Sequence, residues 1–120
     1  MEEKKGIEIT TENDVAVITF KAVSMSNVES ITEANEQIDK FIETNLPKKI
    51  VVDFGEVKFF SSQVLGMLLE MRSRLKEYNG QIVISSINPQ LYRVFRITNL
   101  DKIFKFFPDK ESAVEDTDND

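Results

Sequence analysis

Ile50-Val51-Val52-Asp53-Phe54-Gly55, a periodic run opening at Ser61-Ser62 and closing at Asn79-Gly80, and Gln81-Ile82-Val83-Ile84-Ser85-Ser86-Ile87 read together as strand, helix, strand. The first segment is short, apolar and β-branched, the pattern of a strand covered on both faces, so it belongs near the middle of a sheet. Leu65, Leu68, Leu69, Arg72 and Leu75 recur at helical spacing between the two strands. A crossover of this length joins parallel strands and is right-handed.

Working outward, Ile7–Ile9 and Val15–Phe20 are separated by Thr11-Glu12-Asn13-Asp14, a polar link suited to a hairpin turn. Val28, Ile31, Ile38, Phe41 and Ile42 mark an amphipathic helix that Ser26 or Asn27 can cap and that Pro47 follows. Pro89 suits the first turn of a third helix capped by Asn88, with Leu91, Val94 and Phe95 inward. Ile103 to Phe107 is a last strand, and Glu111, Ala113 and Val114 a short final helix. The residues divide into a 1–6 extension, one domain over 7–114, and an acidic, disordered tail over 115–120.

The chain has 120 residues, 41% hydrophobic and 30% charged, enough for one packed core. With no Cys and no His, disulfides, thiol nucleophiles, imidazole bases and Cys/His zinc sites are excluded. The net charge is −6, of which Asp109–Asp120 carries −5. No basic field exists to neutralise phosphates, which sets nucleic-acid binding aside. No apolar run reaches the roughly 20 residues of a membrane span, so a cytoplasmic protein is expected.

Asp53 and Glu56, at the end of the central strand, are a candidate carboxylate pair for acid–base or divalent-ion chemistry, but no converging motif accompanies them. Neither a catalytic residue, a metal ligand nor a cofactor is assigned. Phe59, Phe60, Phe104, Phe106 and Phe107 read as core. Ser61 and Ser62 begin the strongest helix, where unpaired N–H groups and the dipole favour negative charge. Two readings stay open there: a hydroxyl that can be phosphorylated, or an ordinary N-cap. Met67, Met71 and Tyr78 broaden the apolar arc of that helix, through burial under another helix or contact with a partner.

The order of elements, and the stretch from Val51 to Gly66, resemble a STAS domain of the bacterial anti-sigma factor antagonist family, from about Ile7 to Val114. In that family the strand end is followed by Asp-Ser-Ser-Gly-Leu-Gly, whose first Ser is phosphorylated. Aligned through Asp53, Leu65 and Gly66, the acceptor falls on Ser62, with Ser61 as the fallback; Ser61, Gln63 and Val64 depart from the family pattern.

The resemblance implies an α/β fold, a STAS-like single domain in which a small mixed sheet carries about four helices mainly on one face. It implies a non-enzymatic partner switch. The unphosphorylated protein binds an anti-sigma factor serine kinase, and phosphorylation releases it until a serine phosphatase restores the hydroxyl. Ser61, Ser62, Gln63, Gly66, Met67 and Glu70 are the expected partner-binding residues, on a monomer or weak dimer. The alternative is a STAS scaffold or accessory subunit of a signalling or transporter complex, binding without a switch.

Overall fold

A computed structural model of the protein describes residues 6–12 and 14–116. Seven strands, β1 (Ile7–Glu12), β2 (Val15–Phe20), β3 (Ser24–Met25), β4 (Lys49–Asp53), β5 (Phe59–Phe60), β6 (Gln81–Ser85) and β7 (Lys105–Phe107), alternate with four helices. These are α1 (Val28–Asn45), α2 (Ser62–Lys76), α3 (Pro89–Ile97) and α4 (Lys110–Glu115). Five strands form one sheet in the order β1-β2-β4-β6-β7, antiparallel only between β1 and β2. The strand read as central is central, and its crossover through α2 to β6 is parallel.

Register explains the two cores. Ala16, Ile50 and Ile82 align across three strands, as do Ile18, Val52 and Ile84, and both rows face α1, α2 and α3. Val17, Val51 and Val83 form the alternate row, and Ala113 of α4 sits on it. Strand side chains point alternately to opposite faces, so one β-branched run supplies both layers.

Sequence and structure differ at several edges. The β1–β2 ladder continues to Glu12 opposite Val15, beyond the expected start of the polar link at Thr11, and Asp14 before β2 has φ 69°. Among residues other than glycine, those with a short polar side chain tolerate that left-handed conformation best. Ser86 at φ 61° ends β6 two residues before the expected limit, and a 3-10 turn at Leu100–Lys102 delays β7 to Lys105. Val28, expected on the inner stripe of α1, is 65% exposed because the buried residues of that helix begin at Ile31.

The C-terminal boundary also shifts. Glu115 closes α4, and the Asp116 carbonyl accepts a hydrogen bond from Lys49 Nζ at 2.6 Å while Asp116 Oδ2 lies 3.4 Å from Lys105 Nζ. These two residues therefore belong to the domain rather than to the expected tail; residues 117–120 lie outside the described residues, as do 1–5 of the expected extension.

Lys49 is buried at the start of β4, where its ammonium meets the carboxyl end of α4. Burial pulls its pKa below the ordinary lysine value; the Asp116 charge opposes this and Lys105 adds to it. The unfolded chain then binds the Lys49 proton more tightly than the folded chain does. Stability contributed here rises with pH in the window below about 10.4. Lys49→Met is expected to flatten that rise, seen as urea midpoints that change less than wild type between about pH 8 and about pH 10.

Candidate functional site

The connection from β4 to α2 is held from both flanks. On one side Asp53 Oδ1 accepts from Ser85 Oγ at 3.2 Å and from Gly55 N at 3.3 Å, Phe54 N donates to Ser85 O, and Asn88 Nδ2 donates to Val57 O. On the other side Lys58 N and Phe59 N both donate to Val23 O, β5 pairs in parallel with β3, and Ser61 N donates to Met25 O. The two-residue strands β3 and β5 carry no sequence periodicity, because their pairing joins segments 35 residues apart, as in Ser24 opposite Phe59.

Phe54 anchors this connection from beneath. Its buried ring meets Phe20 edge-on at 5.3 Å between centroids and Phe60 at 5.7 Å. Phe60 in turn meets Phe95 at 6.0 Å. Its neighbour Phe59, read as core from the sequence, is instead 59% exposed beside exposed Val23. Adjacent strand residues point to opposite faces, and β5 has a covered face on one side only. An exposed apolar pair thus borders the helix start, which the sequence reading missed.

At that start, Ser61 occupies the cap position with extended backbone (φ −91°, ψ 168°), yet its side chain makes no capping hydrogen bond. The other three helices are capped: Asn27 accepts from Ser30 N, Asn88 from Leu91 N and Asp109 from Ser112 N. Unpaired N–H groups at the first turn of α2 therefore remain available to an acceptor from outside. Ser62, the first helical residue, is exposed, and its hydroxyl forms no hydrogen bond among the described residues. The ordinary capping role left open by the sequence is filled by neither serine.

Ser62, Gly66 and Glu70, at four-residue spacing, are exposed along the outer face of α2, with Gln63 beside them and its Nε2 3.4 Å from Thr32 Oγ1. Met67 does not join them. It is 4% exposed in a wall shared with α1, Met71 one turn on is fully buried, and the partly buried Tyr78 donates its hydroxyl to Pro47 O, just past α1, at 2.8 Å. The broad apolar arc of α2 is explained by packing on two sides, against the sheet and against α1. Of the expected partner-binding residues, Met67 is the buried one, set in the wall of the groove between α1 and α2.

Asp53 and Glu56 do not converge. Asp53 is engaged as above, and Glu56 Oε2 instead pairs with Lys21 Nζ at 3.0 Å. Among the described residues no group of three His, Cys, Asp or Glu side chains could hold a metal ion, and no helix is long and apolar enough to cross a membrane.

The family model for the STAS domain matches residues 7–113. The chain belongs to the STAS-domain family. A STAS-domain containing protein of Pseudomonas aeruginosa is 32% identical over 59 residues, which are 49% of this chain and 58% of that protein's length. The anti-sigma F factor antagonist of Paenibacillus polymyxa is 23% identical over 78 residues, 65% of this chain and 67% of its own. Among solved structures, the Bacillus anti-sigma factor antagonist SpoIIAA in its unphosphorylated form superimposes with a TM-score of 0.81 at 16% identity, covering 92% of this chain and 94% of its own. Its phosphorylated form superimposes with a TM-score of 0.73 at 18% identity, covering 92% of this chain and 97% of its own. The STAS fold expected from the sequence, a small mixed sheet with four helices chiefly on one face, is the fold observed.

Proposed function

We propose that this STAS domain is an anti-sigma factor antagonist that works by partner switching in the cytoplasm, as a binding module and not as an enzyme. With Ser62 unmodified, it binds an anti-sigma serine kinase through the outer face of α2. The kinase transfers the γ-phosphoryl group of ATP to Ser62 Oγ, the hydroxyl proton leaves to a base on the kinase, and ADP departs. The phosphorylated domain dissociates, and a serine phosphatase hydrolyses the ester to restore the hydroxyl. Ser61 is the fallback acceptor.

The observation that carries this reading is an exposed, unbonded Ser62 hydroxyl on the one α-helix, among those described, whose start has no side-chain cap. A phosphate there brings about −1.5 to −2 charges, which the helix dipole and the free N–H groups favour within the domain. The same charge is costly to bury against a partner seated on Phe59 and Val23. Binding is thus lost while the fold is kept. The existence of SpoIIAA in phosphorylated and unphosphorylated forms on the same fold agrees with this reading.

Incubation with the cognate anti-sigma kinase and ATP, followed by intact-mass analysis, tests it. One added phosphoryl group on wild type, absent from Ser62→Ala, is the expected result. No gain at either Ser62 or Ser61 overturns the switch, and equal partner binding by Ser62→Ala and Ser62→Asp would instead indicate a scaffold that does not switch.

A further inference from the structure

Between α1 and α2, one residue from the proposed acceptor, lies an open notch of about 290 Å³ whose lining includes Asn35, Gln63, Gly66, Met67 and Glu70. That volume is at the lower limit for a small-molecule site and matches the head of one long side chain better than a drug-sized ligand. Space at Gly66 is open: a Cβ placed there would meet nothing within 4 Å.

The walls carry a carboxylate, Glu70, but no basic side chain. Asn35 Oδ1 is shielded from solvent and accepts no hydrogen bond, and the same holds for Asp39 Oδ1 one helical turn further along α1. The nearest cation to Asp39 is Arg74, whose Nη1 stands 3.7 Å away, an ion pair without a hydrogen bond. Buried acceptors without hydrogen-bond donors are uncommon in folded proteins and leave negative potential uncompensated at this face. The field has the same sign as that deficit. Burial raises the Asp39 pKa, Arg74 opposes this, and the charges of Glu70 and Glu43 add to it. Glu29, Glu36 and Glu43, seven residues apart, form an acidic line on the outer side of α1.

We infer that the notch receives a cationic side chain, Arg or Lys, from the protein that docks on the Ser62 face, so that the partner's surface opposite α1 and Glu70 is basic. This inference rests on the partner-switching reading and specifies the chemistry of its partner. An ammonium or guanidinium head seated in the notch donates to the exposed Glu70 carboxylate and offsets the excess of carboxylates around it. A metal ion is a poorer occupant, because the described residues offer no three-ligand group.

The experiment measures binding of the full chain to the purified cognate anti-sigma kinase by calorimetry at several salt concentrations. Gly66→Leu places apolar bulk at the notch on an exposed helical position where a Cβ meets no neighbour, and replaces a poor helix former by a good one. Its thermal midpoint should equal or exceed that of wild type, while affinity falls about tenfold or more. Glu70→Lys should lower affinity to a similar extent and flatten the salt dependence. Glu12→Lys, an equal charge change at the distant end of β1, should change affinity less than about twofold. Wild-type affinity in both Gly66→Leu and Glu70→Lys overturns the inference, and so does an equal loss in Glu12→Lys. If Ser62→Asp still releases the kinase in that case, the switching mechanism stands without the notch; if Ser62→Asp binds like wild type, the switching mechanism itself fails.

Discussion

Ser62→Asp is expected to weaken binding to the anti-sigma kinase by about tenfold or more, with its thermal midpoint within about 4 °C of wild type. The two effects separate because a carboxylate at the first helical position is favoured inside the domain, by about 0.3–1 kcal/mol, yet unwelcome under a partner. Ser62 is exposed and its hydroxyl holds nothing else together, so no internal contact is lost. Ser62→Ala should bind like wild type and stay bound in the presence of ATP. Calorimetry of binding, paired with thermal unfolding of each variant, checks both halves. A midpoint that collapses in Ser62→Asp would mean the hydroxyl has a structural role, and the release mechanism would lose its basis.

Phe54→Ala should have the largest effect on stability. The side chain is buried, and its ring bridges Phe20 on β2 and Phe60 on β5. Truncating a buried Phe to Ala costs about 3–5 kcal/mol through lost burial and the remaining cavity. Against a total of about 5–15 kcal/mol for a domain, that is a large share. Urea unfolding monitored by far-ultraviolet circular dichroism should show a lower midpoint with an unchanged slope. Because Phe54 lies beneath the β4–α2 connection, the variant should also bind the kinase less well at temperatures where it remains folded. A loss below about 1 kcal/mol would show that the aromatic bridge does not support the connection.

Much of this architecture could be read from local pattern. The β-branched run at Ile50–Asp53 announces a two-sided strand, and Asn27 and Asn88 announce two helix starts that they do cap. The proposed acceptor was legible for two separate reasons, a serine pair opening a helix and a family motif around it. What escaped depends on segments far apart in the chain. β3 and β5 exist only through each other, so neither has a period of its own. Phe59 and Phe60 differ in fate because one face of β5 is covered, a fact of tertiary packing. Met67 and Met71 are apolar on any reading, and only the position of α1 decides that a neighbouring helix covers them. The notch joins Asn35 to Glu70 across two helices, and its sole sequence trace is a glycine on an otherwise well-formed helix.

The backbone bonds from Ser85, Val23 and Met25 that clamp the β4–α2 connection carry one more consequence. A platform fastened on both sides has little room to change shape when one side chain is modified. Under the proposed switch, the message is written as electric charge on a stationary frame, and reading it falls to the opposing surface. On that proposal, sensitivity and reset speed are set by the interlocutor and its enzymes, with no change asked of the scaffold itself.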